Sequence, residues 1–166
     1  MKSVWRMILL AGLATFGIWL CVYTFFPNPK KVIHQRLIKL ARTASFSSDQ
    51  SNLAKLAAVE DIAGYFATNV EVDINVPGRV QHTLVGRAEI RQAALGARER
   101  LNGMRVQFPD VNITVAADKQ SAVADLTVEV RIAGEQDSIV QEMKFTFQKT
   151  EDGWLITRVE TVRTLS

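Results

Sequence analysis

The chain is short of the residues that build covalent or metal-held structure: one cysteine and two histidines in 166 residues. A single thiol, Cys21, has no partner in the chain, which excludes an internal disulfide and leaves the redox compartment unread. With His34 and His82 it gives too few ligands for a zinc-type site, and no metal is expected. Charge of one sign is also scarce. The net charge of +3 is small and comes in part from the ends of the first apolar run, so nucleic acid is not expected as a partner. There is no phosphate-binding glycine loop, no nucleophile elbow, no internal repeat and no low-complexity stretch. No cofactor is expected.

One long hydrophobic run is present. Residues 7–26 carry no charge, and twenty helical residues span the hydrocarbon core of about 30 Å. Lys2 and Arg6 precede the run, Lys30 and Lys31 follow it, and Trp5, Trp19 and Tyr23 lie near its ends, where amphipathic rings favour an interface. A cleaved signal peptide would have a shorter apolar region ending in small residues; this one ends in Tyr23-Thr24-Phe25-Phe26. Residues 1–29 are therefore read as a tail and transmembrane anchor, with Cys21 a passive lipid-facing or packing residue. Basic residues at both flanks compete for the cytoplasmic side. The short basic tail at the start favours retention inside, which predicts a single-pass protein of a bacterial inner membrane with its domain on the outer face.

The remainder, 30–166, reads as one domain. Helical spacing predicts a first helix over 30–44 through Val32, Ile33, Leu37, Leu40, Ala41 and Ala44. A second is predicted over about 52–66, with Leu53, Leu56, Ala57, Ala63 and Phe66 as its buried stripe. Alternation marks a strand over 70–76, with Val70, Val72 and Ile74 on one side and Glu71 and Asp73 on the other. A short strand over 81–85 and the Gly86 turn lead to a third helix over 88–101, with Ile90, Ala94, Ala97 and Leu101 as its apolar stripe. Arg87 and Glu89 are expected at the surface.

From 104 onward the pattern is all strand. Segments 104–108 and 111–115 are separated by Pro109, which suggests a bend or bulge rather than a loop. Further strands follow over 122–132, 139–149 and 154–164, the last pair joined by a tight Glu151-Asp152-Gly153 turn. Helices followed by a run of long strands predict an α+β fold: a curved antiparallel sheet packed on three helices, with a pocket between the layers.

Three local features resemble the nuclear-transport-factor-two-like superfamily, with its SnoaL-like and ketosteroid-isomerase-like members. They are Tyr65-Phe66-Ala67 leading into Val70–Asp73, the glycine–helix stretch Gly86-Arg87-Ala88-Glu89-Ile90-Arg91, and the closing hairpin from Asp152 to Glu160. The resemblance covers about 31–165. It implies a cone of curved sheet and three helices, often dimeric through the sheet.

The isomerase branch of that superfamily implies a general base near Asp73, at the end of the strand after the second helix. His82 on the neighbouring strand could couple to it as an acid–base partner. The enolate donors of those relatives have no evident counterpart here, since Tyr65 is the domain's only tyrosine and lies at the end of the second helix. Tyr65, Phe66, Trp154, Arg158 and Glu160 are candidates for the pocket lining, although Arg158 and Glu160 share a strand face and read more simply as an ion pair. The layout of anchor followed by this fold is similar to that of inner-membrane components of type IV secretion systems, in which the fold is an interaction scaffold. The sequence thus predicts a membrane-anchored, non-enzymatic module for a protein partner or small apolar ligand, and a homodimer through the sheet. The alternative is a SnoaL-like isomerase, cyclase or dehydratase using Asp73.

Overall fold

The structure, a computed structural model, describes residues 28–75 and 82–162. The predicted anchor at 7–26, including Cys21, lies outside the described residues. Among the described residues, no helix is long and apolar enough to cross a membrane. The chain runs α1 (Pro29–Ala44), β1 (Phe46–Ser47), α2 (Asn52–Ala63), β2 (Phe66–Ile74), β3 (His82–Val85), α3 (Arg87–Arg100), β4 (Gly103–Gln107), β5 (Val111–Val115), β6 (Ser121–Ile132), β7 (Ser138–Thr150) and β8 (Gly153–Thr161).

Each helix starts where its sequence supplies a cap or a turn. The Asn28 side chain accepts the Lys30 amide at 3.0 Å, and Pro29 occupies the first turn, where no intrahelical amide is needed. Ser51 accepts the Ala54 amide at the head of α2. Helix α3 starts instead from Gly86, whose φ of 83° and ψ of 159° lie in a region that only glycine occupies readily. The neighbouring charged residues fix this turn. Arg87 sends Nε and a terminal nitrogen to the Phe66 carbonyl at 3.0 and 2.6 Å, and Glu89 accepts the Val85 amide at 2.7 Å. Arg87 is therefore half-buried and structural rather than a surface residue; Glu89 is exposed as expected.

The strands form one eight-stranded sheet in the order β1-β4-β6-β7-β8-β2-β3, with β5 also pairing β6. Three differences from the sequence reading stand out. The sheet is not wholly antiparallel, because β2 runs parallel to β8. Strand β2 begins at Phe66, four residues before the predicted start, because Tyr65 O already accepts the Ile156 amide at 2.9 Å. Leu53 and Leu56 are exposed (80% and 53%), and α2 buries Val59, Ile62 and Ala63 instead. Apolar residues surround the first half of α2 on all sides, so periodicity there defines no stripe.

Strands β4 and β5 lie end to end along β6. Gln107 pairs with Glu129 and Val111 with Leu126, so three residues on one side face two on the other. This is the expected bulge at Pro109, and it bends the sheet.

The core lies inside that curve. Ile33 and Leu37 of α1, Val70 of β2, Phe147 of β7 and Ile156 of β8 are essentially sealed. The three helices cover the concave side, as the α+β reading predicts.

Two substitutions test this account by chemical denaturation. Phe147→Ala is expected to cost about 3–5 kcal/mol, the usual range for truncating a buried phenylalanine. Gly86→Ala is expected to cost roughly 1–3 kcal/mol from the positive φ alone.

Candidate functional site

A cavity of about 320 Å³ lies between the helices and the concave face of the sheet. Strand alternation aims Val72 and Ile74 of β2, Met143 and Phe145 of β7 and Val159 of β8 into it. The space exists because α3 presents alanines, Ala93, Ala94 and Ala97, where longer side chains would fill it. Leu40, Phe46 and Ile62 close the helical side. Phe108, placed by the bulge, meets Phe145 edge to face at 6.1 Å.

Among the described residues on this wall, only Arg98 is polar. It is 3% exposed. Its terminal nitrogens donate to Gln50 Oε1 at 3.0 Å and to the Thr43 carbonyl at 2.5 Å, and its guanidinium carbon lies 4.7 Å from the Phe46 ring centre. Thr43 is in the last turn of α1, where backbone carbonyls lack helical partners and carry partial negative charge. Desolvation lowers the pKa of Arg98, but a guanidinium starts so high that it stays charged near neutrality. Among the described residues, no carboxylate pairs with it.

The residues predicted from sequence are not gathered here. The side chain of His82 lies outside what the structure describes, and of the others only Phe66 lines the cavity. Asp73 sits on the outer side of the sheet, accepting from Thr83 Oγ1 at 2.8 Å and lying 3.6 Å from Arg158. Register sets Asp73 opposite Thr83, and His82 opposite Ile74, so the two proposed partners are not paired across the strands. Arg158 and Glu160 form the expected ion pair at 3.1 Å, and Arg158 also reaches Glu71 at 3.2 Å. These groups are on the outer sheet face and do not line the cavity.

Tyr65 belongs to a separate surface cleft between α1 and α2, where Arg36 stacks over its ring at 5.1 Å. Trp154 is buried in the hydrophobic core and does not line the cavity. Arg98 was missed by the sequence reading, which took Ile90, Ala94, Ala97 and Leu101 as the apolar stripe of this helix. Its signal was spacing: residue 98 continues the row through Ile90 and Ala94 at intervals of four.

A sequence profile of the SnoaL-like domain matches residues 46–160, and the chain belongs to that family. No curated protein matches the chain. Among solved structures, an NTF2-like protein with a cystatin-like fold from Novosphingobium aromaticivorans aligns with a TM-score of 0.61 at 20% identity, over 92% of this chain and 88% of that one. A protein from the same organism, provisionally named a scytalone dehydratase, aligns with a TM-score of 0.59 at 16% identity, over 82% and 84%. An NTF2-like protein of unknown function from Pseudomonas putida aligns at 0.60 with 8% identity, over 82% and 87%. At these identities the likeness is one of fold.

Arg98→Ala is expected to lower stability by about 2–3 kcal/mol, because it strands the half-buried Thr43 carbonyl and Gln50 amide. A thermal or urea midpoint equal to that of the parent would contradict this.

Proposed function

We propose that the domain is a membrane-tethered, non-catalytic module that holds a small apolar ligand in the α3-lined cavity. One observation carries the reading: among the described residues, the wall offers apolar surface with no carboxylate or hydroxyl side chain. Its volume of about 320 Å³ is at the small end of ligand sites, which run roughly 300–1,000 Å³. Proton transfer needs a titratable group within hydrogen-bond reach of the substrate, directly or through one water. The competing SnoaL-like enzyme reading assigns that task to Asp73, whose described contacts are Thr83 and Arg158 on the outer sheet face. That charged outer face is also where a homodimer or protein partner would meet the domain.

The tether rests on the uncharged run at 7–26, just ahead of α1. In this reading the protein lies in a bacterial inner membrane with its domain outside.

Methyl 2-naphthoate serves as a neutral probe, titrated into the full chain in lipid nanodiscs with empty discs subtracted. The parent is expected to bind it. Ala94→Phe, which fills the cavity, is expected to abolish binding while the fold is retained, and Asp73→Asn to leave it unchanged. Equal binding by parent and Ala94→Phe would remove the cavity from the reading. For the tether, the full chain is expected to stay in the pellet on alkaline carbonate extraction, and its domain to be digested by protease added to spheroplasts. Release by carbonate, or protection in spheroplasts, would overturn the anchor or its orientation respectively.

A further inference from the structure

An apolar ligand leaves one group on the cavity wall unexplained. Arg98 is a full positive charge, 3% exposed, in a wall whose other described side chains are aliphatic and aromatic carbon. Burying a charge is costly unless it is paired and hydrogen-bonded. Here the hydrogen bonds are only partly supplied. A guanidinium has five N–H donors. Those to Gln50 and Thr43 are the hydrogen bonds it makes among the described residues, and both acceptors are neutral.

These contacts orient the guanidinium more than they neutralise it. The end of α1 contributes a partial negative charge, and the Phe46 face at 4.7 Å contributes its quadrupole. Phe46 and Arg98 both line the cavity, and the stacked guanidinium commits one hydrogen bond from each terminal nitrogen to protein acceptors. A planar fork held in this way suits a carboxylate, which can accept two parallel N–H bonds and supply the missing counter-charge.

We propose that the ligand of this cavity is an acidic amphiphile: an apolar body along Ala94, Ala97, Met143 and Phe145, with a single carboxylate against Arg98. This inference rests on the reading of the cavity as a ligand site and adds the chemistry of the ligand's head. Arg98 is then a binding residue as well as the clasp on the end of α1.

The test compares 2-naphthoate with its methyl ester by calorimetry at pH 7.5, using the full chain in nanodiscs and empty-disc blanks. The acid is expected to bind at least about ten-fold more tightly than the ester, the range of a charge-assisted hydrogen bond. In Arg98→Met the ratio is expected to fall to about one. In the parent, the Arg98 Nε–H resonance is expected to shift with the acid and not with the ester, a readout that needs no substitution and that a purely structural arginine would not give.

Equal or tighter binding of the ester would overturn the acidic head and leave the cavity reading standing. Failure of both compounds to bind would overturn both. A preference for the acid that survives in Arg98→Met, or an Nε–H resonance unmoved at saturation, would overturn the assignment to Arg98. Should Arg98→Met fail to fold, the resonance in the parent decides the assignment alone.

Discussion

The parallel seam between β2 and β8 is the contact on which the rest of the domain depends. It is the place where the strand that follows the first two helices joins the last strand of the chain. Phe66 pairs with Ile156, and after an irregularity Glu71 pairs with Arg158. Without this seam, α1, α2, β2, β3 and α3 would have no strand-to-strand bond to the large sheet except through β1, which is two residues long. Its strength lies on the inner side. Val70, Val72, Ile156 and Val159 are each at most 5% exposed, and fully burying such a side chain is worth roughly 1.5–3 kcal/mol. The salt bridges of Arg158 on the outer side are half in water and contribute far less.

The seam brings the concave face of the sheet under α3, and α3 then determines what lies between them. A stripe of alanines gives up packing area, so the site is formed by subtraction. Residues that bury more volume on the same wall, Phe145 and Met143, come from the sheet and stay rigid through their neighbours. Arg98 enters at the helix end of this space because one helical row carries Ile90, Ala94 and Arg98 in turn. In the proposed reading, stability and recognition meet in one side chain: the guanidinium that closes α1 is also the polar group among the described side chains of the cavity wall.

The sequence reading succeeded where alternation and turns were local. The β6 and β7 patterns, the Gly86 turn, the Pro109 bulge and the final hairpin all reappear in the structure. It failed where the answer depended on an element far along the chain. Periodicity cannot reveal that, among the described residues, nothing covers Leu53 and Leu56. It cannot give the direction of a neighbouring strand, so the parallel seam was unseen. It cannot show that the long arm of Arg98 is folded in rather than out. The case of Asp73 is instructive in another way. Its own alternation with Val72 and Ile74 already set it opposite the apolar face, and only the analogy to isomerases drew attention to it as a pocket base.

The bulge between β4 and β5 carries a different kind of information. Apolar residues occupy 106 and 108 and then 111, 113 and 115, so the inward rhythm changes from even to odd numbers across Pro109. The extra backbone unit absorbs that change, and the Thr127 amide is satisfied by the Asp110 carbonyl at 3.1 Å. A chain one residue shorter at this point would keep every side chain on its proper face and lose only the bend. The curvature of this half of the sheet, and with it the position of Phe108 over the cavity, is thus encoded in chain length, where an insertion or deletion would reshape the site more than most substitutions.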